Sequence, residues 1–391
     1  MNLITDTETL AGFCGRQRGV EFLTVDTEFM RERTYWPILC LVQVAGPDEA
    51  VAIDALAEGI DLAPLLTLLA DPTILKVFHA ARQDLEIFFQ RSGAVPLPVF
   101  DTQVAAMVCG FGDSVSYETL VKRLAGVSLD KASRFTDWAH RPLTQRQIDY
   151  GLADVIHLRT VYDKLQQRLA QNGRTAWFAE EIEALIDPAL YRAEPQEAWR
   201  RFRLRGRADR KMLGVLRSLA AWREAASQQR DQPRGRLLRD EAVIEIATHA
   251  PRTVEALART RSLGKGLAEG RLGREILDAV AQGLADPDPP PAIAAKPENP
   301  PGLGPLVELL RVLLKQRCED YGVAQKLVAS ADDLDAIAAD DGADVRALTG
   351  WRRDVFGADA LSLKHGKLAL TAGRNRIELI ALAGKGEAAA G

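Results

Sequence analysis

Cysteine is scarce in this chain and occurs without metal-binding spacing. Its 391 residues include four cysteines, none of them in a C-x-x-C pair. A zinc knuckle or a disulfide framework would need such spacing, so neither is indicated, and a reducing cytoplasm is expected. Histidine is also scarce: His140, His157, His249 and His365 lack the partner spacing of a zinc site or a catalytic triad.

Long apolar stretches are lacking as well. No segment approaches the roughly 18 apolar residues of a transmembrane helix, and the first residues, MNLITDTETLAGF, carry acids where a secretory signal would carry basic residues. The stretch SLGKGLAEG is rich in glycine but lacks the spacing and the Ser/Thr of a phosphate-binding P-loop. We therefore expect no membrane association, no export and no P-loop chemistry.

The chain does have length, apolar content and unevenly distributed charge. Hydrophobic residues make up 47% of the chain, which predicts a globular protein. A length of 391 residues predicts two or three domains. The net charge is −9 over residues 1–190, +8 over residues 191–285 and −3 over the remainder. An acidic part beside a basic part indicates cation binding next to polyanion binding. An Arg-rich, solvated helical surface explains the same charge equally well.

Hydrophobic patterns divide the chain into an α/β part and two helical parts. Short β-branched runs alternate with helical patterns early on, and a long helix is predicted to open with the capping box of Thr144 and Gln147 and to end at Gly173. Later patterns are helical only, and seven prolines mark a linker. The predicted segments are an α/β domain 1–187, a basic connector 188–207, a first bundle 208–285, a linker 286–302, a second bundle 303–385 and a tail 386–391.

The stretch FLTVDTEF places two carboxylates, those of Asp26 and Glu28, at the end of an apolar, β-forming run. Side chains alternate along a strand, so these two point to one face while Thr27 points to the other. Adjacent buried carboxylates are tolerated when a bound cation or a shared proton compensates them. A strand end that runs into a solvated loop is the competing interpretation of this stretch alone.

Other segments supply two further carboxylates and a tyrosine. Asp84 in VFHAARQDLEIF lies just inside a helix that follows a strand, and Tyr150 and Asp154 in YGLAD lie one turn apart on one helical face. A two-metal phosphodiesterase needs carboxylate oxygens for two Mg²⁺ or Mn²⁺ ions and a polar group that orients the attacking water. One ion lowers the pKa of that water, and the other stabilises the leaving oxygen.

These five residues, in this chain order, resemble the DEDD 3′→5′ exonucleases of the tyrosine subtype. The strings DTEFMRERTYWPILCLVQVA, KVFHAARQDLEIF and DWAHRPLTQRQIDYGLADV are similar to those of the ribonuclease D family, and QPRGRLLRDEAVIEIA is typical of its first HRDC (helicase and ribonuclease D C-terminal) domain. The resemblance implies a ribonuclease H-like α/β exonuclease domain followed by two small all-α HRDC bundles. It also implies that nucleoside 5′-monophosphates are released from the 3′ end of RNA.

The resemblance implies a role for each residue of the set. Asp26 would bridge both metal ions, and Glu28 and Asp154 would complete the site of the ion that activates water. Asp84 would serve the other ion, partly through water, and Tyr150 would hold the attacking water in line with the phosphodiester.

Gly151 departs from the family pattern, which has Ala there. Glycine inside a helix costs up to about 1 kcal/mol relative to Ala, so we expect a less rigid helix beside the tyrosine. Asp101 is interpreted as a helix N-cap rather than as a metal ligand. Phe29 either stacks on a terminal base or packs in the core, and His79 either contacts substrate or is a structural, hydrogen-bonded histidine.

A basic run, WRRFRLRGRADRKM, covers residues 199–212. Its Arg201, Arg203 and Arg205 are candidates for binding RNA phosphates, and a solvated helix start is the alternative. The sequence predicts a cytoplasmic, monomeric exoribonuclease without an obligate protein partner. The resemblance implies that it trims tRNA precursors and other small structured RNAs. A DNA exonuclease of the same fold stays open, because no motif reveals contacts to a 2′-hydroxyl. A catalytically silent RNA-binding protein is the other alternative, and the intact set of five residues argues against it.

Overall fold

A mixed β-sheet carries the first two acids on one of its inner strands. The computed structural model describes residues 2–129, 136–204, 207–261, 263–292, 302–374 and 376–382. The strands of this sheet are β1 (Leu3–Ile4), β2 (Phe22–Met30), β3 (Ile38–Ala45), β4 (Ala50–Asp54), β5 (Leu75–Phe78) and β6 (Val99–Asp101). Their spatial order is β1-β4-β3-β2-β5-β6. Strand β1 is parallel to β4, β2 to β5 and β5 to β6, whereas β3 is antiparallel to β4. Because β2 and β5 are parallel, their carboxyl ends lie at the same edge of the sheet.

The helices around this sheet confirm the predicted α/β fold of the first part of the chain. They are α1 (Thr7–Arg16), α2 (Ala63–Leu69), α3 (Arg82–Ser92), α4 (Thr102–Val108), α5 (Tyr117–Leu120), α6 (Gln145–Gln171) and α7 (Thr175–Ile186), with a π-helical turn at Val121–Ala125. The predicted capping box of Thr144 and Gln147 opens α6. Gly173, with a positive φ of 65°, follows the end of that helix as predicted.

The remainder of the described chain is mostly helical. Its helices are α8 (Arg210–Gln229), α9 (Arg234–Leu237), α10 (Asp240–His249), α11 (Val254–Leu257), α12 (Lys265–Glu269), α13 (Arg271–Leu284), α14 (Leu303–Tyr321), α15 (Gln325–Val328), α16 (Ala331–Ala339), α17 (Gly350–Arg352) and α18 (Ala358–Lys364). Shorter turns are the 3₁₀ helices Pro188–Leu190, Pro195–Arg201 and Arg346–Leu348 and a π-helical turn at Arg353–Gly357. Most of the predicted linker, residues 293–301, and the predicted tail lie outside the described residues. None of the described helices is both long and apolar enough to cross a membrane.

The expectation of helices alone in the second bundle was wrong. An antiparallel hairpin of β7 (Leu368–Ala372) and β8 (Ile377–Ala381) follows α18. The runs LALTA and IELIA around a glycine-containing turn have the alternation of strands, which a helical interpretation of this region overlooks. Leu368, Leu370 and Leu379 pack against the core of the second bundle, so this packing stabilises the hairpin.

Contacts group the chain into two units that cut across the predicted domain boundaries. The first unit comprises residues 1–27, 41–188 and 298–391, and the second comprises residues 28–40 and 189–297. The second bundle therefore belongs with the α/β domain. Residues 28–40, which cover the end of β2 and the segment after it, group with the first bundle.

In the first unit, the second bundle packs on α7 and on the end of α4. The rings of Trp177 and Trp351 stack with centroids 4.3 Å apart. Arg352 is 1% exposed and forms ion pairs with Glu180 and Glu181. A Cβ at Gly110, where φ is +77°, would lie 2.5 Å from the Gly322 carbonyl oxygen, so both the conformation and the close approach require glycine there.

In the second unit, a buried polar cluster holds the segment after β2. The Tyr35 hydroxyl donates a hydrogen bond to Glu224, whose side chain is 3% exposed and also accepts ion pairs from Arg234 and Arg201. The backbone N–H of Tyr35 donates to the Asp231 carboxylate at 2.9 Å. Burial raises the pKa of Glu224, but the hydrogen bonds from Arg234 and Tyr35 outweigh it and leave that pKa below its usual value.

Replacing Glu224 by Ala is expected to destabilise the protein by about 3–5 kcal/mol, because buried partners lose their counter-charge. Urea denaturation of the full chain measures this loss. Glu197→Ala is the matched control, since Glu197 pairs with Arg200 but is 55% exposed, and its removal is expected to change stability little. Equal losses in the two variants would show that the cluster contributes no more than a surface pair.

Candidate active site

Helix α6 runs along β2 and is fixed to it beside the acids. The Phe22 and Tyr162 rings have centroids 4.5 Å apart. Farther along β2, the fully buried hydroxyl of Thr24 donates a hydrogen bond to the Val155 carbonyl at 2.8 Å. Val155 is the residue after Asp154, so this hydrogen bond fixes the position of Asp154 relative to the end of β2.

Carboxylates from β2 and α6 converge. Asp26 and Glu28 on β2 and Asp154 on α6 each place one carboxylate oxygen within 4.8 Å of the others. This arrangement confirms the prediction that Asp26 and Glu28 share a face of the strand. Carboxylate oxygens are the hard ligands that Mg²⁺ and Mn²⁺ prefer, so the donor set fits a divalent cation.

Asp26 and Asp154 resist ionisation, Asp26 because of burial and Asp154 because of burial and the Asp26 charge. Burial raises the pKa of Asp26 to about 6. Burial and the Asp26 charge raise the pKa of Asp154 to about 8, although a hydrogen bond from Tyr150 opposes the shift. A bound cation favours the charged carboxylates and would remove this penalty.

Asp84 lies near the group but is held differently. It is buried in the first turn of α3 and accepts a hydrogen bond from the Thr27 hydroxyl. Burial and the negative charge of Asp26 raise the pKa of Asp84 well above its usual value. Among the described residues, Asp84 is not part of the set of carboxylate oxygens that lie within 4.8 Å of one another. Its role at a second metal ion therefore stays a prediction.

Tyr150 lies one turn before Asp154 on α6, as predicted. Its hydroxyl donates a hydrogen bond to the Asp154 carboxylate. A phenol that donates its single proton retains acceptor capacity on its oxygen. Tyr150 can therefore accept a hydrogen bond from a water molecule beside Asp154.

Asp101 holds the turn that leads into α3. It is 3% exposed and caps α4 by accepting from the backbone N–H of Gln103, which confirms the N-cap interpretation. Its carboxylate also accepts from the backbone N–H groups of Ala80, at 3.0 Å, and Ala81, at 2.8 Å. Ala80 has a φ of 59°, a conformation that side chains disfavour, and these hydrogen bonds stabilise it. Asp101 thus supports the turn that positions Asp84.

A cavity of about 560 Å³ opens beside the acids. Its lining includes Asp26, Asp154, Tyr150, His79 and Tyr117. Its volume is in the range of small-molecule sites, so it has room for one nucleotide. The cavity therefore gives a terminal nucleotide access to the carboxylates.

His79 lies at the carboxyl end of β5, and its Nδ1 is 3.0 Å from the Thr102 hydroxyl. That hydroxyl also donates to the Phe78 carbonyl at 2.9 Å, and the His79 ring makes a further hydrogen bond to the Val115 backbone. Burial lowers the pKa of His79, with opposition from the Asp101 charge. The imidazole is therefore mostly neutral at pH 7, and it can contact substrate by hydrogen bonding rather than as a cation.

Gly151 has a packing explanation that the sequence did not reveal. A Cβ at position 151 would lie 2.5 Å from the amide nitrogen of Gln43, which is fully buried on β3. The Gln43 amide has no hydrogen-bond partner among the described residues. Glycine at position 151 therefore avoids a steric clash between α6 and the Gln43 side chain. Its effect is not limited to lower rigidity of the helix.

The other candidate residues lie on different parts of the chain. Phe29 is half-buried on β2, Arg201 pairs with Glu224 at 3.1 Å, and Arg203 is exposed. Because Arg201 already neutralises a buried acid, less of its charge is available to a phosphate. Arg205 lies outside the described residues. Substrate binding by these residues stays a prediction.

Sequence reasoning missed the supporting hydroxyls. Thr24 and Thr27 are both buried; Thr24 donates to the Val155 carbonyl, next to Asp154, and Thr27 donates to the Asp84 carboxylate itself. Hydroxyls in an otherwise apolar strand are themselves an indication, since a buried hydroxyl needs an acceptor. The identity of that acceptor depends on tertiary packing.

Comparison with known proteins gives a consistent result over nearly the full chain. A family model described as a 3′-5′ exonuclease matches residues 1–170, and an HRDC domain model matches residues 212–280. Ribonuclease D of Granulibacter bethesdensis is 53% identical over 381 residues, which cover 97% of this chain and 96% of that protein. Ribonuclease D of Nitrobacter hamburgensis is 52% identical over 378 residues, covering 96% and 98% respectively. The crystal structure of Escherichia coli RNase D, described as an exoribonuclease involved in structured RNA processing, matches with a TM-score of 0.76 at 28% identity and covers 93% of this chain and 98% of that one.

Replacing Gly151 by Ala is expected to lower the free energy of unfolding by about 1–3 kcal/mol, because the added carbon overpacks the contact with Gln43. In a Gln43→Val background the same change should cost less, since valine lacks the amide. Urea denaturation of the four proteins of this double-mutant cycle measures the coupling.

Gly12→Ala on α1 is the matched control. A Cβ there meets only the end of Arg16, at 3.6 Å, so helix propensity alone should stabilise the protein slightly. A Gly151→Ala cost that is the same in the unaltered protein and in the Gln43→Val background would contradict the packing explanation.

Proposed function

The chain belongs to the ribonuclease D family and is a metal-dependent 3′→5′ exoribonuclease, and we propose that it trims the 3′ ends of tRNA precursors and other small structured RNAs. One observation supports the location that we propose for the reaction. Carboxylate oxygens from β2 and α6 lie within 4.8 Å of one another beside a cavity that Tyr150 also lines. We further propose that the chain acts in the cytoplasm as a monomer.

The metal ions in this proposal are two Mg²⁺ or Mn²⁺ ions. Asp26, Glu28 and Asp154 would hold the ion beside the attacking water, and Asp84 would contribute to the second site together with Asp26. When bound, the ions supply the positive charge that lowers the pKa of the attacking water and stabilises the leaving oxygen. The Thr27 hydroxyl binds one oxygen of Asp84 and thereby orients its carboxylate.

Tyr150 would orient the water that attacks the terminal phosphodiester. Because the Tyr150 hydroxyl donates its hydrogen bond to Asp154, its oxygen would accept a hydrogen bond from the water. This hydrogen bond would direct a lone pair of the water away from the phenol. His79, which also lines the cavity, would contact the terminal nucleotide by hydrogen bonding. Tyr150 would thus orient the nucleophile, and His79 would position the substrate.

The RNA body would be held by electrostatic attraction to the basic part of the chain. Residues 191–285 carry a net charge of +8, and they include the HRDC match at residues 212–280. Contacts to phosphates give affinity that falls with salt and carries no direct sequence information. Selection among RNAs would then depend on the accessibility of the 3′ strand.

Divalent metal is expected to stabilise the protein more at pH 8 than at pH 5.5. The folded-state pKa values of Asp26 and Asp154, about 6 and about 8, lie above those of unfolded aspartate. Because these pKa values are raised, the contribution of Asp26 and Asp154 to the stability of the metal-free fold is most favourable below the pKa of unfolded aspartate and is lost as pH rises through the folded-state values. Melting temperatures in EDTA and in MnCl₂ at both pH values measure the effect.

Asp26→Asn is the matched variant for this measurement. It removes one of the repelling charges, so at pH 8 its metal-free form should melt at a higher temperature than the unaltered protein and should gain little from Mn²⁺. A metal-induced increase that is independent of pH, or one that survives in this variant, would contradict the proposed metal site.

Asp26→Asn is also expected to abolish nucleotide release while RNA binding is largely kept. The assay uses matched tRNA precursors with a 3′ trailer and single-stranded DNA of the trailer sequence, both 3′-labelled, with Mg²⁺, Mn²⁺ or EDTA. Release of nucleoside 5′-monophosphates from the RNA in the presence of metal is the expected result. Preferential degradation of the DNA, or full activity of the variant, would overturn the proposal.

A further inference from the structure

Tyr150 lies beside a surface segment whose only buried side chain is that of Trp138. Over residues 136–146, all of which are described, every other residue is exposed or half-buried, whereas Trp138 is 3% exposed. The Trp138 and Tyr150 ring centroids are 6.1 Å apart, with the ring planes at 40°. The segment therefore places one large apolar ring beside the tyrosine of the candidate active site.

An ion pair fixes this segment to the sheet. The Arg141 guanidinium makes a bidentate contact with the Asp54 carboxylate at the end of β4. Its Nε lies 2.8 Å from Oδ2, and its Nη2 lies 2.6 Å from Oδ1. The Asp54 side chain is 7% exposed and that of Arg141 is 24% exposed, so solvent screens the pair only partly. A bidentate contact of this kind fixes orientation as well as distance.

The same arginine fixes the tryptophan backbone directly. Its Nη1 donates to the Trp138 carbonyl at 2.6 Å and to the His140 carbonyl at 2.9 Å. From α6, the buried Gln147 donates to the Thr136 hydroxyl at 3.3 Å. Trp138 is thus held between the end of β4 and the first turn of the helix that carries Tyr150.

We infer that Trp138 is a positioning residue for Tyr150 and that the Arg141–Asp54 pair holds it in place. The inference rests on the proposed function, in which Tyr150 orients the attacking water. Tyr150 is half-buried and lines the cavity, so its ring has space on the cavity side. Trp138 restricts the ring and so keeps the hydroxyl on Asp154. Rates respond steeply to such placement, since an error of about 1 Å costs roughly 100-fold.

The test is a double-mutant cycle on the full chain. Trp138→Ala is expected to lower the single-turnover rate about tenfold. The RNA affinity and the Mn²⁺-induced increase in melting temperature should stay unchanged. In a Tyr150→Phe background, which lacks the hydroxyl, the same change should alter the rate by less than about twofold, because a residue that acts through Tyr150 has nothing left to position.

Arg141→Met tests the tether, and Phe13→Ala controls for destabilisation. Arg141→Met should lower the rate of the unaltered enzyme and leave that of the Tyr150→Phe enzyme nearly constant. Phe13 is fully buried on α1, so its replacement should lower the melting temperature without changing the rate per folded molecule. Trp138→Phe, which keeps an aromatic ring, should recover part of the rate and covers the case in which the alanine variant does not fold.

The outcomes distinguish a failure of the positioning role of Trp138 from a failure of the water-orienting role of Tyr150. If Tyr150→Phe slows the reaction and Trp138→Ala slows both backgrounds equally, the positioning role is overturned while the role of Tyr150 stands. A Trp138→Ala variant with an unchanged rate also overturns the positioning role. If Tyr150→Phe leaves the rate unchanged, the water-orienting function itself is wrong, and the inference falls with it.

Discussion

Repulsion among carboxylates that are held within 4.8 Å of one another is the constraint on which this site depends. Without a cation or a rigid scaffold, the half-buried acids would take up protons or move apart, as the raised pKa values of Asp26 and Asp154 indicate. The fold prevents separation by rigid attachment. The Thr24 hydroxyl ties β2 to the α6 backbone next to Asp154, and the Thr27 hydroxyl ties β2 to Asp84. Neutral donors suit this task because they orient acids without removing the negative charge that attracts a cation.

The features that follow from local periodicity could be predicted from the sequence. Alternation along a strand places Asp26 and Glu28 on one face, and the spacing of four on a helix places Tyr150 beside Asp154. The capping box at Thr144 is equally local, because its partners lie three residues apart. Each of these predictions needs only the geometry of a single element. The element type was clear from the hydrophobic pattern.

The features that depend on tertiary packing could not be predicted in this way. The partner of Gly151 is Gln43, more than 100 residues earlier on β3, and only the packing of α6 against the sheet brings the two together. Asp101 has an N-cap role that is visible in sequence, yet its hydrogen bonds to the turn at residues 80–81 depend on β5 and β6 being neighbours. The same residue thus has one contact set by local rules and another set by strand order.

The grouping of the chain and its charge indicate which of the two helical bundles suits RNA binding. Residues 303–385, the second bundle, contain 12 Lys+Arg and 12 Asp+Glu and so have no net charge, whereas residues 191–285 carry +8. The second bundle therefore lacks the excess of positive charge that attracts a polyanion. Arg352, the most buried cation of this bundle, is already paired with Glu180 and Glu181 on α7. Leaving those charges unpaired would be strongly unfavourable, so the pairing resists separation of the bundle from the α/β domain. The Trp177–Trp351 stack adds apolar area at the same contact. Charge and packing together favour a supporting role for the second bundle, and they leave the basic first bundle as the part of the chain suited to phosphates.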